Sequence, residues 1–317
     1  MTIARKGTSI GMTFGLLAFA AGCGSSSGGG TTSVAGAGGA AGGGASGASA
    51  GTGGAGAATG CSIAASTAAT TNTSPTGCAV LARDTTACQA ARVAQGLSGV
   101  WLAFSCRTTL TVTTSGGAQL VRIESDGRPD HLSNYFPTTD ACHEDYTGKI
   151  QNPNLIAAQK IAVDVPLVPD TTSKPMMGAI VGVALDGVPI FANFAAPGDD
   201  IFQEAMTFDR CGGHPQKDGV YHYHSEPYAL SYDDASPIGV LRDGYPIYGR
   251  KDLDGSTPTL DAFGGHTSAT PDSAGTAIYH YHLNEQTSTS TKTAGQKQWF
   301  LTTGHYRGTP AACATCN

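Results

Sequence analysis

The fold is decided by a tetrapeptide that the chain spells twice, in GVYHYHSE at residues 219–226 and in AIYHYHLN at 277–284. Aromatic residues in strict alternation favour a β-strand. In a strand, residues i and i+2 point to the same face and lie roughly 6.5–7 Å apart. We therefore expect the histidines of each copy to share one face, at His222, His224, His280 and His282. The opposite face should carry Tyr221, Tyr223, Tyr279 and Tyr281.

Each tetrapeptide closes a longer pattern that also occurs twice. DGVPIF, FDRCGGH and YHYH begin at positions 186, 208 and 221, and DGYPIY, LDAFGGH and YHYH begin at 243, 260 and 279. The three blocks recur in the same order, with offsets of 57, 52 and 58 residues. Such collinear similarity predicts an internally duplicated unit with pseudo-two-fold symmetry, with copies at about 183–224 and 240–282.

The other two blocks have a local structural interpretation. Asp-Gly between apolar runs predicts a tight hairpin turn in which glycine supplies a positive φ. Pro189 and Pro246 follow these turns and indicate a strand start or an edge strand. Gly-Gly before a histidine allows a close backbone approach that delivers one imidazole. Each copy therefore brings one further histidine towards its HxH pair, His214 in the first and His266 in the second.

Three imidazoles in each copy predict a metal site. Imidazole nitrogens bind zinc at about 2.0–2.1 Å, and three of them leave an open position for water or substrate. The candidate ligands are His214, His222, His224, His266, His280 and His282. An all-nitrogen site in an oxidising compartment favours copper or zinc. The spacing is compatible with two three-histidine sites or with one four-histidine site between paired strands.

Several polar residues could surround these ligands. Asp209 and Asp261 each lie five residues before the histidine of Gly-Gly-His. They could orient imidazoles by accepting hydrogen bonds, or they could cap turns. The four tyrosines flank the same histidines. His131, in the turn-like stretch GRPDH, either joins the site or faces solvent.

The rest of the chain from Thr108 onward is typical of β-structure. TTLTVTTSGGAQLVRIES reads as two alternating runs around Ser-Gly-Gly, which is a hairpin signal. Before Thr108, the segment TTACQAARVAQGL at 85–97 favours a short helix with Thr85 or Thr86 as its cap. No long helical periodicity occurs between 108 and 309. We therefore predict a mainly β fold with short helices and long ordered loops.

The N-terminal residues predict export. Residues 1–22 combine Arg5 and Lys6, an apolar run and small residues, as a secretory signal peptide does. The junction AAGC resembles a bacterial lipobox, which would place lipid on Cys23. Residues 23–60 are almost entirely Gly, Ala, Ser and Thr, which predicts a disordered tether. We expect a cell-envelope protein, anchored to the outer membrane or the cell surface by its lipid.

Cysteine content and net charge further limit the compartment and the partners expected for this protein. Of nine cysteines, Cys23 is assigned to lipid, and an even number remains, which favours disulfides in an exported chain. They lie mainly in a cysteine-rich segment, 61–107, and in a tail, 310–317. Cys313 and Cys316 should form structural bridges, to each other or to distant cysteines. The net charge of −6 offers no basic stripe, which argues against a nucleic-acid partner.

The repeated motifs, with SDGRPDH at 125–131 and NPN at 152–154, resemble those of the bacterial YHYH domain family. The resemblance extends over roughly 108–309. It implies an exported or surface-attached protein and supplies no reaction. Against the family pattern, Phe263 and His305 stand where cysteines are expected, which implies that one disulfide is lost. Cys211 keeps its place, and Cys142 is then its natural partner.

Three functions follow from the sequence. The first is transition-metal binding at the cell surface by the duplicated histidine clusters. The second is a metalloenzyme with an open three-histidine site, redox or hydrolytic. The third is a structural or adhesive domain with a hydrogen-bonded His/Tyr core and no metal. Whether the protein is an enzyme, and which small molecule or protein it meets, is left open by the sequence.

Overall fold

The computed structural model describes most of the chain after the N-terminal quarter. The described residues are 77–81, 83–146, 150–196, 199–231, 234–314 and 316. The predicted signal peptide, Cys23, the tether and the first part of the cysteine-rich segment lie outside these ranges. Within them, no helix has the length and apolar character needed to cross a membrane.

The described part is mainly β, as predicted, with short helices and long ordered loops. Its first seven strands are β1 Thr109–Ser115, β2 Ala118–Ser125, β3 Ile161–Pro166, β4 Lys174–Pro175, β5 Ile180–Ala184, β6 Pro189–Phe191 and β7 Gly213–Pro215. The remaining strands are β8 Tyr221–Tyr223, β9 Pro237–Leu241, β10 Pro246–Tyr248, β11 Gly265–Ala269, β12 Ala277–His282, β13 Asn284–Thr287, β14 Lys297–Phe300 and β15 His305–Tyr306.

The helical elements are short. They are α1 Gln89–Ala94, α2 Ile201–Glu204 and two 3-10 helices, Gly99–Leu102 and Ala205–Thr207. The predicted helix is therefore present, but its predicted cap is wrong. Cys88 occupies the N-cap of α1 and makes no capping hydrogen bond with its side chain. Thr86 lies two residues before Cys88, in a turn where the amides of Thr86 and Ala87 donate to Asp84 Oδ1.

The strands form one large sheet and three small ones. β1, β2 and β3 make an antiparallel meander, and the predicted Ser-Gly-Gly hairpin joins its first two strands. The large sheet has eight strands in the order β11-β12-β10-β9-β5-β6-β8-β7. β13 pairs with β14, and β15 pairs with β4. The apolar residues of β2, β3, β5 and β9 supply much of the buried core.

Strand pairing in the eight-stranded sheet follows the same pattern on both sides of its centre. β5 and β6 form a hairpin, β6 runs parallel to β8, and β8 pairs antiparallel with β7. On the other side, β9 and β10 form a hairpin, β10 runs parallel to β12, and β12 pairs antiparallel with β11. β5 and β9 join antiparallel in the middle. Descent of the two halves from one duplicated unit stays a prediction.

Both Asp-Gly sequences form the predicted hairpin turns. Gly187 has φ 89° and Gly244 has φ 94°, conformations that residues with a side chain rarely adopt. Pro189 and Pro246 each begin the strand after the turn, as expected. The turns therefore fix how β6 and β10 enter the large sheet.

Both Gly-Gly-His loops approach the neighbouring backbone closely, as the motif predicts. A Cβ atom added to Gly212 would lie 2.2 Å from the carbonyl oxygen of Glu226. One added to Gly213 would lie 2.5 Å from the ring of Tyr221, and one added to Gly265 would lie 2.6 Å from the hydroxyl of Tyr279. Only glycine fits these positions, so β7 and β11 can lie against β8 and β12.

Disulfides cross-link the chain, and one predicted pairing is wrong. Cys211 pairs with Cys78, not with Cys142. Cys142 is also disulfide-bonded, to a different cysteine. Cys88 pairs with Cys106, and Cys313 pairs with Cys316, the first of the two alternatives expected for the tail. The expectation failed because the partner of Cys211 lies 133 residues earlier in the chain, in a loop whose position only the fold determines.

Candidate metal centres

The two YHYH segments separate histidines from tyrosines, as the alternation predicts. In β8 and at its end, His222 and His224 face His214, which β7 supplies from directly opposite His222. In β12, His280 and His282 face His266, which β11 supplies from directly opposite His280. The six histidines predicted as ligands therefore form two clusters of three.

The first cluster consists of His214, His222 and His224. The Nε2 atoms of His214 and His222 lie 3.1 Å apart, and those of His222 and His224 lie 3.0 Å apart. All three side chains are buried. Phe191 stacks on the His222 ring with 3.9 Å between the ring centroids, which fixes one wall of the cluster.

Hydrogen bonds to Nδ1 determine which nitrogen of each first-cluster ring carries the proton. His222 Nδ1 lies 3.1 Å from the carbonyl oxygen of Val220, and His224 Nδ1 lies 2.5 Å from that of Ala192. A carbonyl oxygen only accepts, so both Nδ1 atoms are protonated, and in a neutral ring Nε2 then bears a lone pair. These two lone pairs face each other across 3.0 Å.

The third ring of the first cluster is held in the same tautomer. The Thr207 hydroxyl donates to the carbonyl of Glu204 at 2.7 Å and lies 2.7 Å from His214 Nδ1. Because its only proton is used, the hydroxyl accepts from His214 Nδ1–H. The amide nitrogen of Asn152 lies farther from Nδ1, at 3.4 Å, and donates to the carbonyl of Pro215 at 3.0 Å. His214 Nε2 is then a third lone pair directed at the same point. Three acceptors converge without a donor between them.

The second cluster consists of His266, His280, His282 and Asp252. Asp252 Oδ1 lies 2.9, 3.8 and 3.6 Å from the Nε2 atoms of the three histidines, in that order. The Nε2 atoms of His266 and His282 are 3.2 Å apart. This centre therefore offers four ligand atoms, three nitrogens and one carboxylate oxygen.

Backbone carbonyls orient the YHYH histidines of the second cluster in the same way. His280 Nδ1 donates to the carbonyl of Ile278 at 2.9 Å, and His282 Nδ1 donates to that of Gly249 at 2.8 Å. Their Nε2 atoms are left as lone pairs. Such outer hydrogen bonds are the usual device by which proteins aim imidazoles at a metal ion.

Burial keeps the imidazoles of His214, His222, His224 and His282 neutral. It lowers the pKa of His214 to about 3, with the neighbouring His224 adding to the effect. It lowers the pKa of His224 to about 4 and that of His282 to about 4, and it holds the pKa of His222 well below its ordinary value. Neutral imidazole is the form that binds metal ions. These four imidazoles are therefore in their ligating form at neutral pH.

The spacing of the nitrogen atoms fits a small cation. Ligand atoms 2.0–2.1 Å from a tetrahedral ion lie about 3.3–3.4 Å from each other. The closest contacts between Nε2 atoms are 3.0, 3.1 and 3.2 Å, so small outward movements would accommodate an ion. In each cluster, all ligand atoms lie within 4.8 Å of one another.

The structure answers the question of one site or two. Four strands, β10, β9, β5 and β6, lie between β12 and β8 in the sheet order. Five inter-strand spacings correspond to about 24 Å. The two clusters therefore lie on opposite sides of the sheet centre and could hold one ion each.

The tyrosine faces attach each YHYH strand to two aspartates. Tyr221 donates to Asp209 at 2.8 Å, and Tyr223 donates to Asp186 at 2.9 Å. In the second half, the corresponding bonds run from Tyr279 to Asp261, at 3.1 Å, and from Tyr281 to Asp243, at 2.5 Å. The tyrosines thus connect the strand to the Asp-Gly turn and to the loop that carries Gly-Gly-His.

Asp209 and Asp261 cap turns, the second of the roles considered for them. Asp209 Oδ1 accepts from the amides of Cys211 and Gly213, and Asp261 Oδ1 accepts from those of Phe263 and Gly265. Their hydrogen bonds in the described structure involve no imidazole. The expectation that these carboxylates orient the ligands is corrected, because backbone carbonyls already do so.

His131 does not join either cluster. It is buried on the tyrosine face, where Nε2 lies 3.1 Å from the hydroxyl of Tyr223 and 3.3 Å from that of Tyr221. Neither of the alternatives considered for it, ligand or solvent-facing residue, describes this position. A single histidine in a turn carries no sequence signal for burial under a strand whose Tyr223 lies 92 residues later in the chain.

Sequence reasoning missed three residues at the centres. Asp252 lies in KDLDGS, which reads as a polar turn, and it reaches the second cluster only because the loop folds back over β11. Glu204 Oε1 lies 3.6 Å from His214 Nε2, and Thr207 holds the same ring. The only sequence indication for Asp252 and Glu204 was that acidic residues precede each Gly-Gly-His. Each loop contains several acidic residues, so this indication does not say which of them reaches the histidines.

A cavity of about 640 Å³ reaches the first cluster. Its wall includes all three histidines of this cluster and the side chain of Glu204. Phe191, Phe194 and several alanines make much of the wall apolar, and Lys217 lies at its exposed part. Burial, with Asp199 nearby, raises the pKa of Glu204 to about 7. The first cluster is therefore accessible to a small molecule.

Comparison with known proteins finds a family match for one part of the chain. Residues 162–259 match the family model described as YHYH protein. The match spans β3 to β10 and contains the first cluster together with Asp252, while His266, His280 and His282 lie beyond its end. No curated protein and no solved structure shows a significant match to the chain. The chain therefore carries a YHYH domain, inside the range 108–309 predicted from its motifs.

Proposed function

We propose that this YHYH-domain protein binds two transition-metal ions, copper or zinc, one at each histidine cluster. The observation that carries the proposal is the convergence of three buried Nε2 lone pairs in the first cluster. Acceptors that face each other at 3.0–3.1 Å repel one another unless a cation lies between them. A metal ion converts this unfavourable arrangement into three bonds.

The second cluster supports the same function with a different ligand set. Three imidazoles and one carboxylate are a common set for zinc, and imidazoles also suit copper. His266 can donate to Asp252 at 2.9 Å, so the lone pairs of this cluster face one another less than those of the first cluster do. We expect it to bind an ion through all four groups.

Features of the chain also support a place in the cell envelope. Three disulfides join described cysteines, and disulfides form and persist in oxidising compartments. Together with the secretory-type N-terminus and the lipobox-like AAGC, they favour export. We propose that lipid on Cys23 attaches the protein to the outer membrane or the cell surface, with residues 24–60 as a tether.

The structural or adhesive alternative explains only half of each YHYH strand. The tyrosine faces do form hydrogen-bonded contacts with aspartates that stabilise the fold without metal. The histidine faces are not arranged as such a core, because their hydrogen bonds leave the Nε2 atoms without donors in the first cluster. Packing alone gives no reason for that arrangement.

Metal analysis of the purified protein tests the proposal. The chain from residue 23 onward, with Cys23→Ser to prevent lipidation, is purified without nickel affinity and loaded with copper or zinc. We expect about two equivalents for this protein and about one for each of His222→Gln/His224→Gln and His280→Gln/His282→Gln. His305→Ala, which changes an exposed histidine outside both clusters, should keep both.

The double variants need a check on folding. Circular dichroism and the thermal transition of each variant show whether lost metal reflects lost ligands or a lost fold. Glutamine keeps the polarity and approximate length of the side chain, so we expect both variants to fold. Absence of bound copper and zinc from a folded parent protein, even after loading, would refute the proposed function.

A further inference from the structure

We infer that the two centres differ in kind: the first accepts an exogenous small molecule on its metal ion, whereas the second is closed by protein ligands. The inference rests on the proposed metal binding and adds a division of roles. Three features of the described structure carry it, namely the number of ligand atoms, the cavity and the position of Glu204.

The number of protein ligands differs between the centres. The first group consists of His214, His222 and His224, and the second adds Asp252 to its three histidines. A tetrahedral ion in the first centre keeps one position for a ligand from outside, which is the arrangement of catalytic zinc sites. In the second centre, the carboxylate fills that position, as in structural sites with four protein ligands.

The charge of the two centres also favours an outside ligand at the first centre rather than at the second. The three histidine ligands of the first centre carry no charge, and the acidic side chain near them, Glu204, lies farther from its nearest imidazole (3.6 Å) than Asp252 does in the second centre (2.9 Å). With a divalent ion bound, Asp252 reduces the net charge of the second centre to one. An anionic oxygen donor is therefore attracted more strongly to the first centre, in a buried environment where charge is poorly screened.

The cavity gives that donor a route and a binding volume. Its 640 Å³ lies within the range of small-molecule sites, about 300–1,000 Å³. Phe191 and Phe194 provide apolar surface. Asp199 and Glu204 also line the cavity, but Lys217 and a bound divalent ion would together outweigh these two carboxylates and leave a net attraction for one negative group. The ligand class that fits is a small organic carboxylate with an apolar body.

Glu204 is an acidic side chain beside the first centre, on the side of His214. Its Oε1 is 3.6 Å from His214 Nε2, close to the cluster but farther than Asp252 is from His266 in the second centre, 2.9 Å. Its Oε2 is buried and has no hydrogen-bond partner among the described residues. A coordinated water would donate to this carboxylate, and an incoming carboxylate ligand would have to displace that water and approach a like charge.

Cobalt(II) absorption tests the inference with each centre isolated. Cobalt binds sites of the zinc type, and its visible spectrum changes when a ligand of the ion changes. The first centre is studied alone in His280→Gln/His282→Gln, and the second alone in His222→Gln/His224→Gln. Benzoate is the probe. We expect a saturable spectral change in the protein that keeps the first centre and none in the protein that keeps the second.

Two further variants sharpen the test. Asp252→Ala, added to the protein that keeps the second centre, should retain cobalt and now respond to benzoate, because a position is opened. Glu204→Gln, added to the protein that keeps the first centre, should retain cobalt and bind benzoate several-fold more tightly. The glutamine removes a like charge and holds the competing water less firmly.

The outcomes separate the two proposals. If neither centre takes up cobalt or zinc, the proposed function fails. If both centres bind metal and benzoate changes both spectra or neither, the metal binding stands and the division of roles is refuted. A loss of metal from Glu204→Gln would also refute it, because Glu204 would then be a ligand that closes the first centre.

Discussion

At the scale of single residues, each position of the tetrapeptide has its own function. The first and second histidines direct their Nε2 atoms into the cluster, and the two tyrosines donate hydrogen bonds to two different aspartates. The carbonyls of Val220 and Ala192 fix the tautomers. A substitution at any one of the four positions therefore disturbs the contact partner of that residue alone and leaves the strand backbone unchanged.

The lowered pKa values of the first-cluster histidines predict how its metal affinity depends on pH. A proton competes with the metal only below the pKa of a ligand, and burial lowers the pKa of His214 to about 3 and that of His224 to about 4. We expect the affinity of the first centre to be nearly constant from pH 8 to about 5. A site of exposed histidines would begin to lose affinity below about 6.5.

Competition with a metal-binding dye at several pH values, on the His280→Gln/His282→Gln protein, measures this dependence. A tenfold or greater loss of affinity between pH 7 and about 5.5 would contradict the prediction and indicate that the rings titrate as exposed imidazoles do.

At the scale of elements, close backbone contacts place β7 against β8 and thereby position His214. Gly212 has φ 94°, and a Cβ atom there would meet the carbonyl oxygen of Glu226 at 2.2 Å. Backbone atoms cannot move aside as side chains do. The loop that carries Gly-Gly-His must therefore shift if this glycine is replaced.

Gly212→Ala should accordingly destabilise the fold by more than 1 kcal/mol and abolish or weaken metal binding at the first centre. The matched control is Gly255→Ala, a position with φ 82° and no atom within 4 Å of the added Cβ. Both substitutions strain φ, so their difference isolates the steric contact. Equal losses of stability and metal in the two variants would contradict the prediction.

The tyrosine–aspartate bonds hold elements together independently of metal. Burial raises the pKa of Asp243 to about 6, and Tyr281 donates to this carboxylate. Tyr281→Phe leaves a buried acceptor without one of its donors and should lower the free energy of unfolding by about 1–3 kcal/mol.

Urea denaturation of the metal-free proteins measures this loss. Tyr245→Phe serves as the control, since its hydroxyl donates to the carbonyl of Asp170 near the surface and should matter less. Tyr281→Phe should still bind metal at both centres, because the tyrosine lies on the face opposite the histidines. Loss of the second centre in a folded Tyr281→Phe protein would speak against two independent faces.

At the scale of the whole molecule, a disulfide connects the start of the described chain to the first centre. Cys78 pairs with Cys211, which lies three residues before His214, across 133 positions of sequence. The corresponding position of the second loop is Phe263, so the second centre forms without such a bridge. The two centres therefore depend on oxidation to different extents.

Removing this bridge should destabilise the protein by about 4–5 kcal/mol, because it closes a long loop. Cys78→Ser/Cys211→Ser should also weaken metal binding at the first centre more than at the second. Cys88→Ser/Cys106→Ser, which opens a loop of 18 residues, should cost about 3 kcal/mol and spare both centres. Calorimetry with metal titration measures both effects, and equal weakening of the two centres would contradict the prediction.

Local patterns predicted the strands, the turns and the six histidines, because alternation and glycine act over a few residues. The number of centres, Asp252, Glu204, the burial of His131 and the partner of Cys211 were not predicted. Each depends on where a loop or strand lies relative to residues that are distant in sequence. The sheet order, with four strands between β8 and β12, decides between one centre and two, and no spacing in the sequence encodes it.

The parallel pairing of β6 with β8 and of β10 with β12 has a consequence for maturation. The carbonyls that hold His224 and His282 belong to Ala192 and Gly249, the residues that directly follow β6 and β10. Each of these carbonyls comes into place only when its crossover connection has been completed, which is a slow, non-local step of folding. On the proposed metal binding, we therefore expect the two clusters to form late in folding and a chain to acquire its metal only after its sheet is assembled, so that metal content would report fully folded molecules rather than nascent ones.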